Sequence, residues 1–216
     1  MRTARLLLTA LLLAAPPSAA PLAAQRSEPP HGWKVRTDKP DASASDIQFV
    51  GMPPGWHITT GPAAIFYEPG RTAEGTYRIQ STIYLFDPGR RHAEAYGVFF
   101  GGRDLEGDGE AYSYFLIRDT GDFLVKRRRG ADTETVVPWT HSDAIMKHPG
   151  GGEQAKNTLV VELGAENVDF YINGQKATGV PRSKLDTEGV VGLRINHMLN
   201  VHVSELEVSP SAGATR

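Results

Sequence analysis

The sequence predicts an all-β protein, a sandwich or barrel of antiparallel strands, and three observations carry that prediction. Apolar residues recur with a period of two through most of the chain, not with the three-to-four spacing of helices. Turn-forming pairs and glycine-rich stretches cut the alternating runs into about a dozen short strands. Helical patterning is thin: the one candidate is a short turn over residues 142–147, closed by His148-Pro149 and three glycines.

Taken in order, the N-terminus reads as a secretory leader. Arg2 and Arg5 give the positive end, an apolar run covers Leu6 to Ala15, and small residues lead to a cleavage point after Ala24. The run is shorter than the about 20 apolar residues a membrane span needs. No later stretch reaches that length, so residues 1–24 are expected to be removed and the rest to lack a transmembrane segment. Residues 25–46 are rich in Pro, Ser, Ala and charge and read as a flexible lead, with Trp33 the one large anchor. One domain is expected over 47–208, with a loose tail over 209–216.

Within the domain, "TYRIQSTIYLF" (76–86) puts Tyr77, Ile79, Ile83 and Leu85 on one face and Arg78, Gln80, Thr82 and Tyr84 on the other. "AYSYFLIRDTGDFLVKRRR" (111–129) reads as a hairpin turning at Asp119 to Asp122. "TLVVEL" and "NVDFYINGQKA" follow, the second folding back at Asn173-Gly174, a strong two-residue hairpin signal. In the last strand Leu199, Val201 and Val203 share one parity and Leu206 and Val208 the other. Alternation cannot turn both sets inward, so a β-bulge is expected near Ser204-Glu205.

Composition narrows the function classes. There is no cysteine, so an exported form relies on its own core instead of disulfides. Basic residues number 23 against 25 acidic, and removal of Arg2 and Arg5 leaves 21. That mild acidity argues against a nucleic-acid partner, which needs a basic surface to neutralise phosphates.

The stretch "VDFYINGQKATGVPRSKLDTEGVVGLRINHMLNVHVSELEV" (168–208) resembles the C-terminal part of concanavalin A-like, laminin G/glucanase-type jelly-roll domains. "GTYRIQSTIYLF" and "AYGVFFGGRDLEGDGEAYSYFLIRDTGDFLVKRRRG" are similar to secreted bacterial members, including relatives of the 3-keto-disaccharide hydrolase type. The resemblance covers roughly residues 47–208. It implies a two-sheet antiparallel jelly-roll sandwich with a concave, glycan-receiving face. Hydrolases of the group carry Glu-x-Asp-x-x-Glu or Glu-x-Asp-x-Glu on a strand, and no expected strand of this sequence carries either; the second spacing occurs only at Glu106, Asp108 and Glu110, in the glycine-rich acidic run.

Carboxylate pairs for glycoside hydrolysis are sparse: Glu205 with Glu207 and Glu162 with Glu166, both more simply read as solvated strand positions. No Gly-x-Ser-x-Gly elbow occurs. His31, His57, His92, His141, His148, His197 and His202 are scattered without zincin spacing. The basic run Lys126 to Arg129 reads as a charged strand end; the alternative has Arg127 joining Arg118 across the hairpin. A glycan or oligosaccharide is the ligand class the remaining residues suggest. Tyr84, Tyr96, Tyr112 and Tyr114 offer ring faces, with Arg78, Gln80, Arg118 and Arg127 as hydrogen-bonding neighbours. The acidic stretch "RDLEGDGE" (103–110) places Asp104, Glu106 and Asp108 at alternate positions like the start of an EF-hand, but the twelfth position is Phe115, not Glu. Calcium bound by these three acids in another geometry is the alternative to an acidic connection beside a binding face.

Overall fold

The computed structural model describes residues 29–39, 41–87 and 93–210. The expected leader (1–24) and most of the expected tail lie outside them. Fourteen strands form two seven-stranded sheets. The first sheet has the order β1 (Lys34–Thr37), β4 (Ala64–Ala73), β13 (Gly189–Ile195), β6 (Ala95–Arg103), β7 (Ala111–Arg118), β8 (Asp122–Arg129) and β9 (Asp132–His141). The second has β12 (Gln175–Pro181), β11 (Asn167–Ile172), β10 (Ala155–Leu163), β5 (Tyr77–Leu85), β14 (Asn200–Pro210), β3 (Trp56–Thr59) and β2 (Gln48–Gly51). Every pairing is antiparallel, as expected for a jelly-roll sandwich.

The core lies between the sheets because alternate residues of both turn toward it. Ile79, Ile83 and Leu85 of β5 meet Val98 and Phe100 of β6, Phe115 and Ile117 of β7, and Phe170 of β11. The Asn173-Gly174 turn forms as expected, with positive φ at both residues (49° and 81°). The bulge is also present: the register of β14 against β5 shifts between Val203 and Glu205, so Ser204 is the extra residue. Val203 and Leu206 are both buried as a result.

Two expectations need correction. Tyr96, taken as a glycan contact, is fully buried between the sheets, where its hydroxyl accepts a hydrogen bond from Asn157 Nδ2 at 3.1 Å. Both faces of β6 are covered, so parity along that strand could not tell an accessible tyrosine from a core one. The lead is not wholly loose either. Residues 34–37 form β1 against β4, and Trp33 meets Trp56 edge-on with ring centroids 4.8 Å apart.

Candidate functional site

The outer faces of the two sheets differ in kind. The second presents a polar row along β5, the solvated face a half-buried sheet ordinarily shows. Arg78 donates to Gln80 Oε1 (2.6 Å), Gln80 and Thr82 both donate to Glu205 Oε1 (2.9 and 2.7 Å), and Thr82 meets Thr158 (3.0 Å). At one end of the row Tyr84 borders a cleft of ≈ 420 Å³ with Phe86, His202, Gln154 and Met52. His202 Nε2 reaches the Pro54 carbonyl at 3.0 Å and must be the protonated nitrogen. Burial, helped by neighbouring His57 and opposed by that hydrogen bond, lowers the His202 pKa and favours the neutral ring.

The first sheet's outer face is aromatic. Tyr67, Phe99, Tyr112 and Tyr114 form an apolar cluster with Ile65, Leu116 and Leu124, separate from the inter-sheet core. Tyr112 lies 5.2 Å from Phe99 and 5.7 Å from Tyr114 between ring centroids. Gly192 makes this arrangement fit: a Cβ there would come within 2.4 Å of both the Phe66 carbonyl and the Phe99 ring.

Charged groups are set around this aromatic floor. The Arg194 guanidinium lies 4.8 Å from the Tyr114 ring centre, donates to the Tyr112 hydroxyl at 2.9 Å, and grips Asp38 through two bonds of 2.7 and 2.6 Å. Only 8% of its side chain is exposed, and its Nε has no partner among the described residues. Burial alone would raise the Asp38 pKa, but the Arg194 hydrogen bonds and charge outweigh it and hold the carboxyl below its usual value. Burial pushes the Tyr112 phenol up to about 12, so it stays a neutral hydroxyl. Nearby, buried Glu110 is shared by Arg36 (3.0 Å) and Arg128 (2.7 Å). A cleft of ≈ 350 Å³ opens beside them, lined by Lys34, Val35, Arg36, Tyr67, Leu105 and Glu106.

The structure therefore divides the expected site residues. Tyr112, Tyr114 and Arg118 have the parity of the first sheet's outer face, but Tyr112 and Tyr114 are only 1% and 5% exposed, so the expectation of open ring faces there is corrected; Arg78, Gln80 and Tyr84 share the opposite side of the sandwich. Arg127 is a correction: it has the inward parity of Phe123 and Val125 and pairs with Glu134, so it does not join Arg118. The calcium alternative also fails on geometry. Asp104 Oδ2 accepts the Gly109 amide (3.2 Å), Glu106 pairs with Lys34 (2.5 Å) and Asp108 is exposed. Among the described residues no group of three or more such side chains is placed to hold an ion. The loop instead contributes Leu105 to the aromatic face, its carbonyl held by Arg36 at 3.0 Å.

Arg194, Asp38 and Glu110 escaped the sequence reading, although one signal was there. Arg194 is the lone charge in the apolar run "GVVGLRI", and a charge in a buried strand requires a partner.

Two seven-stranded antiparallel sheets in this order make a jelly-roll sandwich. Similar solved structures are of that kind. They include a carbohydrate binding module, CBM66, from Bacillus subtilis (14% identity, 82% of this chain and 95% of that one, TM-score 0.55). A protein of unknown function with a galectin-like fold from the same organism is also similar (11%, 82% and 89%, 0.56). So is a Bacteroides ovatus mixed-linkage glucan GH16 protein in complex with its product (10%, 82% and 94%, 0.56). Identities this low carry the fold alone. No protein-family model and no curated protein matches the chain.

Proposed function

We propose that this chain is an exported, lectin-like domain that recognises a carbohydrate on the outer face of its first sheet, without turning it over. The observation that carries the reading is Arg194: a buried guanidinium seated against a tyrosine ring on the solvent side of a sandwich, with one N–H left unpartnered. Sugars present apolar ring faces and hydroxyl edges, and a site for them combines aromatic rings with a few placed donors and acceptors. Tyr67 supplies the ring at the cleft, with Tyr112 and Tyr114 buried in the same cluster; Lys34 and Arg36 supply donors and Glu106 an acceptor, and Arg194 fixes the partly exposed Asp38 as another. Similarity of fold to a carbohydrate binding module and to galectin-like proteins supports the same reading. The leader pattern of residues 1–24 supports export.

The test is a glycan array followed by calorimetry with Tyr67→Ala and Arg36→Ala, set against Tyr84→Ala and His202→Ala. Loss of binding in the first pair only supports this face. Loss in the second pair only moves the site to the Tyr84 cleft. Absence of any glycan binding removes the proposal. Turnover of oligosaccharides or their 3-keto forms by the wild type would make the chain a hydrolase instead.

A further inference from the structure

We propose that Trp139 and Arg118 form an outlying sugar subsite on the same face, so that the ligand is an oligosaccharide instead of a single sugar ring. This rests on the carbohydrate reading above and adds to it a ligand length and a residue that sets it. Trp139 lies on β9, the edge strand of the first sheet, is 40% exposed, and belongs to neither apolar cluster. Its indole is nonetheless held in place. The Arg118 guanidinium carbon sits 4.1 Å from the ring centre, and Arg118 is itself fixed by Asp122, to which Nε and Nη2 donate at 3.1 and 2.9 Å. Asp122 is held in turn by the Thr120 hydroxyl at 2.5 Å, and the His141 ring lies 3.4 Å from its other oxygen.

An exposed indole ordered from behind by a pinned cation is preorganised for stacking, because little rotamer freedom remains to be lost when a ligand arrives. A tryptophan serving the fold would be expected inside one of the two apolar clusters. Tyr112, Tyr114, Leu116 and Arg118 project from the same side of β7, in one row. Arg118 lies four residue steps along the strand from Tyr114, about 13 Å at the usual rise. One sugar ring cannot span that distance, whereas a chain laid along the row meets the partly exposed Asp38, held by Arg194 beside buried Tyr114, at one end and Trp139 at the other.

The experiment is calorimetry of the full mature chain with gluco-oligosaccharides of two to six units in β-1,3, β-1,4 and mixed linkages, plus any glycan the array identifies. Wild type is compared with Trp139→Ala, Trp139→Phe and Arg118→Met, each first checked by thermal melting to be folded. The expected result is that wild-type affinity rises with chain length and that Trp139→Ala removes about tenfold of that rise, as for loss of one stacking aromatic. The shortest ligands should bind it as they bind wild type, and Trp139→Phe should recover most of the loss. Of the three tryptophans, Trp139 is the most exposed, so a shift in its emission should accompany binding of long ligands and vanish in Trp139→Phe. Equal affinities for wild type and Trp139→Ala at every length would overturn the subsite and leave the carbohydrate reading standing. An equal loss at every length would also overturn it. Absence of binding by the wild type would remove both.

Discussion

Removing the Asp38 carboxylate tests whether the charged frame of the aromatic face is as tightly coupled as its geometry indicates. Replacement of Asp38 by Ala deletes two charge-assisted hydrogen bonds of 2.7 and 2.6 Å and leaves Arg194 with the Tyr112 hydroxyl and the Tyr114 ring. The Arg194 side chain is only 8% exposed, so water cannot replace the lost partner. Breaking a buried pair from one side costs about 3–5 kcal/mol, against about 0–1 kcal/mol for a surface pair. Asp38 is itself 27% exposed, which favours the lower end, about 3 kcal/mol. Urea denaturation of the mature chain measures this directly. Arg194→Met should cost less, since it removes the stranded charge, and the double variant should be no less stable than Asp38→Ala. The pH dependence follows from the depressed Asp38 pKa. A carboxyl whose folded pKa lies below its unfolded value of about 3.9 contributes stability above that pH and loses it as pH falls through the folded value. The gap between wild type and Asp38→Asn should therefore be full at neutral pH and shrink below about pH 4. A cost under about 1 kcal/mol, or a gap that widens on acidification, would refute the argument.

Two further outcomes test the fold. Deleting Ser204 removes the extra residue, keeps Val203, Leu206 and Val208 on one inward face and leaves a regular strand; the melting point should hold within a few degrees, and a loss above about 3 kcal/mol would contradict the bulge's role as a parity correction. Asn157→Ala should cost about 3 kcal/mol by chemical denaturation, because this fully buried amide bonds the Met146 backbone, the Tyr96 hydroxyl and the Asn173 side chain together, and its loss strands several buried polar groups.

How far the molecule was legible depended on the range of the interaction involved. Period-two alternation in "TYRIQSTIYLF" is local and matched the buried face of β5 residue by residue. The parity break in "LNVHVSELEV" announced a bulge because only an extra residue reconciles two inward sets. Tyr96 was misread because β6 is covered on both sides. Arg127 has the parity of Phe123 and Val125 in the sequence itself, but that Arg118 lies on the opposite face and that Glu134 is its partner come only from the assembled sheet. Asp38 and Trp139 gave weaker signals still. One sits in a lead whose composition suggests disorder, the other in the exposed second half of an edge strand.

The sequence by itself determined that the chain is built of antiparallel strands, where several of them run, where one of them bulges, and that no cysteine chemistry takes part. Only the tertiary structure decided which strand faces belong together. Parity says which residues of one strand share a side, but not which sheet the strand joins or which other strands lie beside it. β7 lies beside β6 and β6 beside β13, which is more than 80 residues away in the chain. That pairing, closed by loops and core packing instead of local preference, sets Tyr112, Tyr114 and Arg118 with Arg194 on one face and sends Arg78, Gln80 and Tyr84 to the opposite one.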